Sequence, residues 1–156
     1  MGLMFVLKTL HVIGATILLG TGAGIAFFMV MADRTRDARL VAHTAGVVVV
    51  ADVVFTASAI VLQPITGVAL AAVEHQPLGQ HWILLSLALY VVAGVFWLPV
   101  VWMQLRMRDL ARAAAAAGEP LPPAYQRLYR VWFAFGFPAF AAVIAIIWLM
   151  VAKPSL

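Results

Sequence analysis

The chain has 156 residues, 65% of them hydrophobic and only 10% charged, with a net charge of +4 and no cysteine. A soluble domain carries about 25% charged residues, so this chain cannot cover itself with polar surface, and its solvent is lipid. The missing cysteine excludes disulfides, thiolate metal sites and cysteine nucleophiles; the basic residues sit in loops between apolar blocks, as membrane topology demands, which speaks against nucleic acid as a partner.

A helix that crosses a bilayer needs about 20 mostly apolar residues, and four segments meet that requirement. The first covers residues 3–31. Its apolar stretch is too long, and its basic start, Lys8 alone, too thin for a cleaved signal peptide, so it is expected to stay as a helix. Lys8, His11 and Ala15 share one face by their spacing. Lys8 reaches the interface by extending its stem, an escape that His11, two turns in, lacks. A neutral imidazole there either bonds to a neighbouring helix, with Gln63 or Tyr90 at similar depth, or ligates haem iron or another metal. Gly20 and Gly24, four apart, permit close helix packing. Asp33, Arg34, Arg36 and Asp37 follow and read as a solvated turn with local pairing.

The second segment covers residues 41–70, with a bend possible at Pro64. His43 opens it near the loop. Asp52 lies near its middle, where an ionisable side chain costs at least about 2.5–3.5 kcal/mol. Thr56, Ala59, Gln63 and Thr66 follow at alternating steps of four and three, so they form one polar or small stripe facing the bundle. Asp52 is then either neutralised or bonded to a neighbouring helix, or it is a proton or cation site. The next loop carries His75 and His81, which are solvated unless the loop folds inward towards His11.

The third segment covers residues 82–105 and places Ser86, Tyr90, Ala93, Trp97 and Gln104 at helical spacing, either as packing or as the lining of a pocket. Its Ala- and Arg-rich continuation to residue 117 favours helix; Gly118 suits a cap, and Pro120, Pro122 and Pro123 forbid continuation. This basic extension sets topology and can touch anionic lipid. The fourth segment, residues 129–152, contains Pro138 and supplies packing and lipid contact. Met29, Met31, Met103 and Met107 gather towards one side, as gap fillers or as soft ligands for copper.

Charge placement orients the chain. Arg34, Arg36 and Arg39 lie in the first loop and Arg106, Arg108, Arg112, Arg127 and Arg130 in the third, against Lys8 and Lys153 on the other side. By the positive-inside rule, loops 32–40 and 106–128 are cytoplasmic and both termini outside. Trp82 and Trp148 then mark the outer interface, and Trp102, Trp132, Tyr125 and Tyr129 the inner one. No Walker, HExxH, GxSxG or EF-hand pattern is present.

The stretches LKTLHVIGATILLG, ADRTRD, DVVFT and LALYVVAGVFW, in this order, resemble the bacterial family of integral membrane proteins catalogued as domain of unknown function 2269. The resemblance covers nearly the whole chain and implies a multi-pass membrane protein without assigning an activity. Lys8-x-x-His11-x-x-Gly14 on the first helix is also similar to the opening of HemJ-type protoporphyrinogen oxidases and of copper resistance D-type membrane proteins. In the HemJ type the first-helix histidine is implicated in haem binding, which maps to His11.

The resulting expectation is an all-α, single-domain, integral membrane four-helix bundle in a bacterial inner membrane, both termini outside. It binds haem b through His11, with His81, His75 or no residue as second ligand and with Lys8 and Tyr90 near the site, and acts as a redox or accessory protein. Asp52, Thr56 and Gln63 stabilise the bundle or pass protons. Two alternatives stand beside it: a proton-coupled transporter element using Asp52, and a noncatalytic subunit of a larger membrane complex. A homo-oligomer is compatible with each, and enzymatic activity stays open.

Overall fold

A computed structural model describes residues 2–154. It contains four long helices, α1 (Gly2–Thr35), α2 (Ala38–Val73), α3 (His81–Ala117) and α4 (Pro123–Ala152), each long and apolar enough to cross a membrane. No strand occurs among the described residues. All four begin or end beyond their apolar blocks, because hydropathy marks where lipid is and not where a helix stops. α2 starts at Ala38 since Asp37 caps it: its Oδ1 accepts from Arg39 N at 2.8 Å and Leu40 N at 3.4 Å. α4 starts six residues ahead of the apolar block, with Pro123 in its first turn, where a missing N–H does no harm. α3 has 37 residues, about 55 Å at 1.5 Å per residue, against about 30 Å of hydrocarbon. It stops at Gly118, whose φ of 69° is left-handed; Gly118 N–H then bonds Ala115 O and Glu119 N–H bonds Ala114 O, the closure a residue without Cβ allows.

Short loops make neighbouring helices antiparallel. α1 runs along α2, the first half of α2 packs on α3, and α3 and α4 form the most extensive pair. One end of the bundle holds both termini and loop 74–80; the other holds the arginine-rich loops. These are called the terminal end and the arginine end. Large apolar side chains such as Phe5, Phe27, Val61, Val95, Leu98, Phe137 and Trp148 stand exposed around the outside, as lipid-facing residues do.

Between the helices hydrophobicity gives no net drive, because lipid tails are as apolar as leucine; packing and interhelical hydrogen bonds decide. The packing is uneven. The hydrophobic core of Ile25, Met29, Ala32, Val41, Ala42, Ala45, Val48, Met103, Met107, Ala111, Tyr125 and Trp132 lies wholly in the arginine-end half. Met29, Met103 and Met107 fill its gaps, the use to which flexible thioethers are suited. In the terminal half the buried positions are mainly small or polar: Gly14, Ala59, Gln63, Thr66, Ala71, Ser86 and Ala142.

Two sequence expectations change here. Gly20 and Gly24 make no close crossing, since a Cβ on either would meet nothing within 4 Å. Tyr125 and Trp132, expected to mark the inner interface, are buried in the core while Trp102 stays exposed, because the start of α4 packs against the end of α1.

The terminal end is tied by charge. Glu74, at the end of α2, lies 3.6 Å from Lys8 Nζ of α1 and 3.6 Å from Lys153 Nζ behind α4. Lys153 also sits 5.5 Å above the ring of Trp82 on α3, so one acidic residue gathers the ends of all four helices. Lys8 is 63% exposed, and exposed pairs are worth about 0–1 kcal/mol each. Glu74→Gln is therefore expected to lower the thermal unfolding temperature slightly at low salt and not at all at high salt, where screening has already removed the effect.

Candidate functional site

The middle of α2 departs from α-helical winding. Residues Asp52–Thr56 form a single π-helical turn, closed by Ala57 N–H bonding Asp52 O. Such turns insert a residue into the helix and recur at functional sites. Here the turn starts on the one ionisable residue in mid-helix. Asp52 is buried, and the stripe read from the sequence, Asp52, Thr56, Ala59, Gln63 and Thr66, is buried along its whole length.

Around the Asp52 carboxylate the bundle places Trp97 and Gln104 of α3 and Thr56 of its own helix. The Trp97 indole N–H donates to Oδ1 at 3.5 Å. None of the ion pairs among the described residues includes Asp52. Among the described residues the bundle thus supplies one long hydrogen bond, two further polar neighbours and no cation to a carboxyl group in the middle of an apolar helix, a position where charge must be compensated by a proton or a small cation.

Five buried polar atoms find no hydrogen-bond partner among the described residues: Thr56 Oγ1, Gln104 Oε1, Trp132 Nε1, Tyr125 OH and Asp33 Oδ1. All belong to the arginine-end half or its border with Asp52. Tyr125 stacks on Tyr129 at 6.2 Å and Tyr129 on Trp132 at 5.9 Å, and the Asp33 carboxylate faces the Tyr125 hydroxyl without closing a bond of good geometry. Asp33 was expected in a solvated turn. It is buried instead, with Oδ2 4.0 Å from Arg36 Nη1, because α1 continues a full turn past its apolar block and that turn packs against α4.

His11 lies on the α1–α2 seam. The two helices interlock reciprocally: Gln63 of α2 lies over Gly14 of α1, and the His11 ring lies over Gly67 of α2. A Cβ on Gly14 would stand 2.5 Å from Gln63 Nε2, and one on Gly67 would stand 3.3 Å from His11 Cε1. Gln63 Nε2 donates to His11 O at 2.8 Å. The His11 ring does not bond Gln63 or Tyr90 through their side chains, as sequence depth suggested; its Nδ1 is 2.8 Å from Thr66 Oγ1. Thr66 Oγ1 already donates to Leu62 O at 2.8 Å, a back-bond usual for threonine in helices. With the hydroxyl proton assigned to Leu62 O, Thr66 accepts from His11, and that assignment puts the ring proton on Nδ1 and the lone pair on Nε2.

That tautomer fits an axial ligand, whose other nitrogen is normally held by a protein acceptor. Two shallow surface grooves are not lined by His11; the one on α1 is formed by Phe5, Lys8, Thr9, Val12 and Ile13. The remaining residues expected near a haem are dispersed. Lys8 pairs with Glu74, His75 and His81 are exposed, and the Tyr90 hydroxyl donates to Ile60 O on α2. Among the described residues no group of three His, Asp or Glu side chains is arranged to hold a metal ion. Glu74 escaped the sequence reading because nothing marks it except its place at the end of an apolar block.

Four apolar helices around a mid-depth carboxylate define a polytopic integral membrane protein with an internal polar axis. The sequence profile described as predicted integral membrane protein, domain of unknown function 2269, matches residues 5–154. The chain belongs to that family. No curated protein and no solved structure matches it significantly.

Proposed function

We propose that the protein conducts protons across its membrane, with Asp52 as the group that takes them up and releases them. The observation that carries this reading is the buried Asp52 carboxyl group at a π-helical turn, given one long bond from Trp97 and no cation. Ionisable residues inside membrane bundles are costly and mark ion or proton pathways. Buried polar atoms without protein partners are where ordered water sits, and the unpartnered atoms of Asp33, Tyr125, Trp132, Gln104 and Thr56 trace such positions from the arginine end towards Asp52. The arginine end is the cytoplasmic one by the positive-inside rule, in a bacterial inner membrane as the family resemblance suggests.

The test is proton flux into vesicles that hold the purified protein and a trapped pH dye, driven by a potassium gradient with valinomycin. Wild type is expected to exceed protein-free vesicles, Asp52→Asn to lose about tenfold or more of that flux, and Asp52→Glu to keep part of it. Equal flux in wild type and Asp52→Asn overturns the proposal.

A second reading keeps His11 as a ligand of haem b, favoured by the Nε2 lone pair that the Thr66 bond leaves. The macrocycle would lie outside the bundle, against lipid or a second copy of the chain. Protein purified from haem-replete cells would then carry a Soret band that His11→Ala loses and Asp52→Asn keeps. A colourless protein removes this reading and leaves the first untouched.

A further inference from the structure

We propose that a notch between α2 and α3 at the arginine end binds one anionic phospholipid, its phosphate held by Arg112 and His43 and an acyl chain lying along Val47 and Val50. The notch is lined by Ala42, His43, Gly46, Val47, Val50 and Arg112. Arg112 comes from α3, yet its guanidinium lies across the backbone of α2: a Cβ on Gly46 would stand 3.2 Å from Nη2. Gly46 is eight residues into α2, about 12 Å from the helix start at 1.5 Å per residue.

Arg112 has no carboxylate partner among the described residues, whereas Arg108 pairs with Asp109 at 2.9 Å and Arg36 with Asp33. An exposed arginine laid against an apolar stretch of helix next to the membrane attracts an anionic headgroup as its counter-charge, and no carboxylate among the described residues supplies one. A phosphate does, since the guanidinium fork matches two of its oxygens. His43, three residues before Gly46 and exposed, offers a second donor on the same face. The small side chains of Ala42 and Gly46 leave room for the headgroup. Val47 and Val50 are 56% and 61% exposed and present an apolar strip towards the bilayer. The buried stripe that ends in Asp52 lies on the other side of α2, so the site is separate from the polar axis.

Native mass spectrometry of the detergent-purified full chain tests this, with phosphatidylglycerol, phosphatidylcholine or inorganic phosphate added in turn. One phosphatidylglycerol is expected to stay bound. Arg112→Ala should weaken it about tenfold, Gly46→Val should weaken it by displacing the guanidinium, and Arg106→Ala, another exposed arginine of the same helix, should leave it unchanged. Equal retention by Arg112→Ala, or of phosphatidylcholine by wild type, shows ordinary annular lipid and overturns the proposal. Full displacement by inorganic phosphate shows an ion site with no role for the acyl chain and overturns it too.

Discussion

Gly14→Val is expected to separate α1 from α2 and to lower the thermal unfolding temperature in mild detergent by the equivalent of about 1–3 kcal/mol, the usual result of adding atoms to a filled contact. The position has no room: even a methyl group would stand 2.5 Å from Gln63 Nε2. Gln63 must leave, and with it the bond to His11 O, worth about 0.6 kcal/mol as interhelical bonds in membranes go. Because the collision is with the end of a flexible side chain, Gly14→Ala should cost much less. Gln63→Ala should relieve most of the damage of Gly14→Val. The double variant is therefore expected to be non-additive, and simple addition of the two single effects would show that the seam does not close on this pair.

Asp52→Val is expected to abolish proton flux while leaving the unfolding temperature unchanged or higher. A buried carboxyl group with one long hydrogen bond and no ion pair among the described residues contributes little to holding helices together, and an apolar replacement of similar shape is often neutral or stabilising. Function-bearing residues commonly sit at such a cost. The opposite outcome, a bundle that falls apart by about 3 kcal/mol or more, would make Asp52 a structural clasp and remove its reason to titrate. Measuring both quantities on the same variant separates a conduction residue from a packing residue, which flux alone does not.

The four spans and the buried face of α2 were legible in the sequence because each rests on a periodic, local property. Asp52, Thr56, Ala59, Gln63 and Thr66 fall on one line of a helix whatever surrounds them. Contacts between helices were not legible, since they depend on rotation about helix axes that hydropathy leaves free. His11 was therefore paired by depth with Gln63 or Tyr90, whereas rotation brings Thr66 to its ring and Gln63 to its backbone. The glycines misled for the same reason: Gly20 and Gly24 have the spacing of a packing motif and face nothing, while Gly14 and Gly67 lack the spacing and make the close approach. The π-helical turn has no compositional mark, and the burial of Asp33 follows from how far α1 runs on, which a charged tetrad conceals.

The uneven packing has a mechanical consequence. The bundle is built like a tuning fork, with a stiff stem at the arginine end and four tines at the terminal end, clasped at their tips by Glu74 and its two lysines. Pro64, Pro99 and Pro138 each remove a backbone bond from one tine or its root, softening three of the four where they would bend. Spreading the tines breaks a surface clasp and has to part the interlocked α1–α2 seam at Gly14 and Gly67, but leaves the methionine- and tyrosine-filled stem intact. If Asp52 carries protons as proposed, the two faces of the membrane would reach it by different physics, through the packed polar side chains of the stem on one side and through the proline-softened tines on the other.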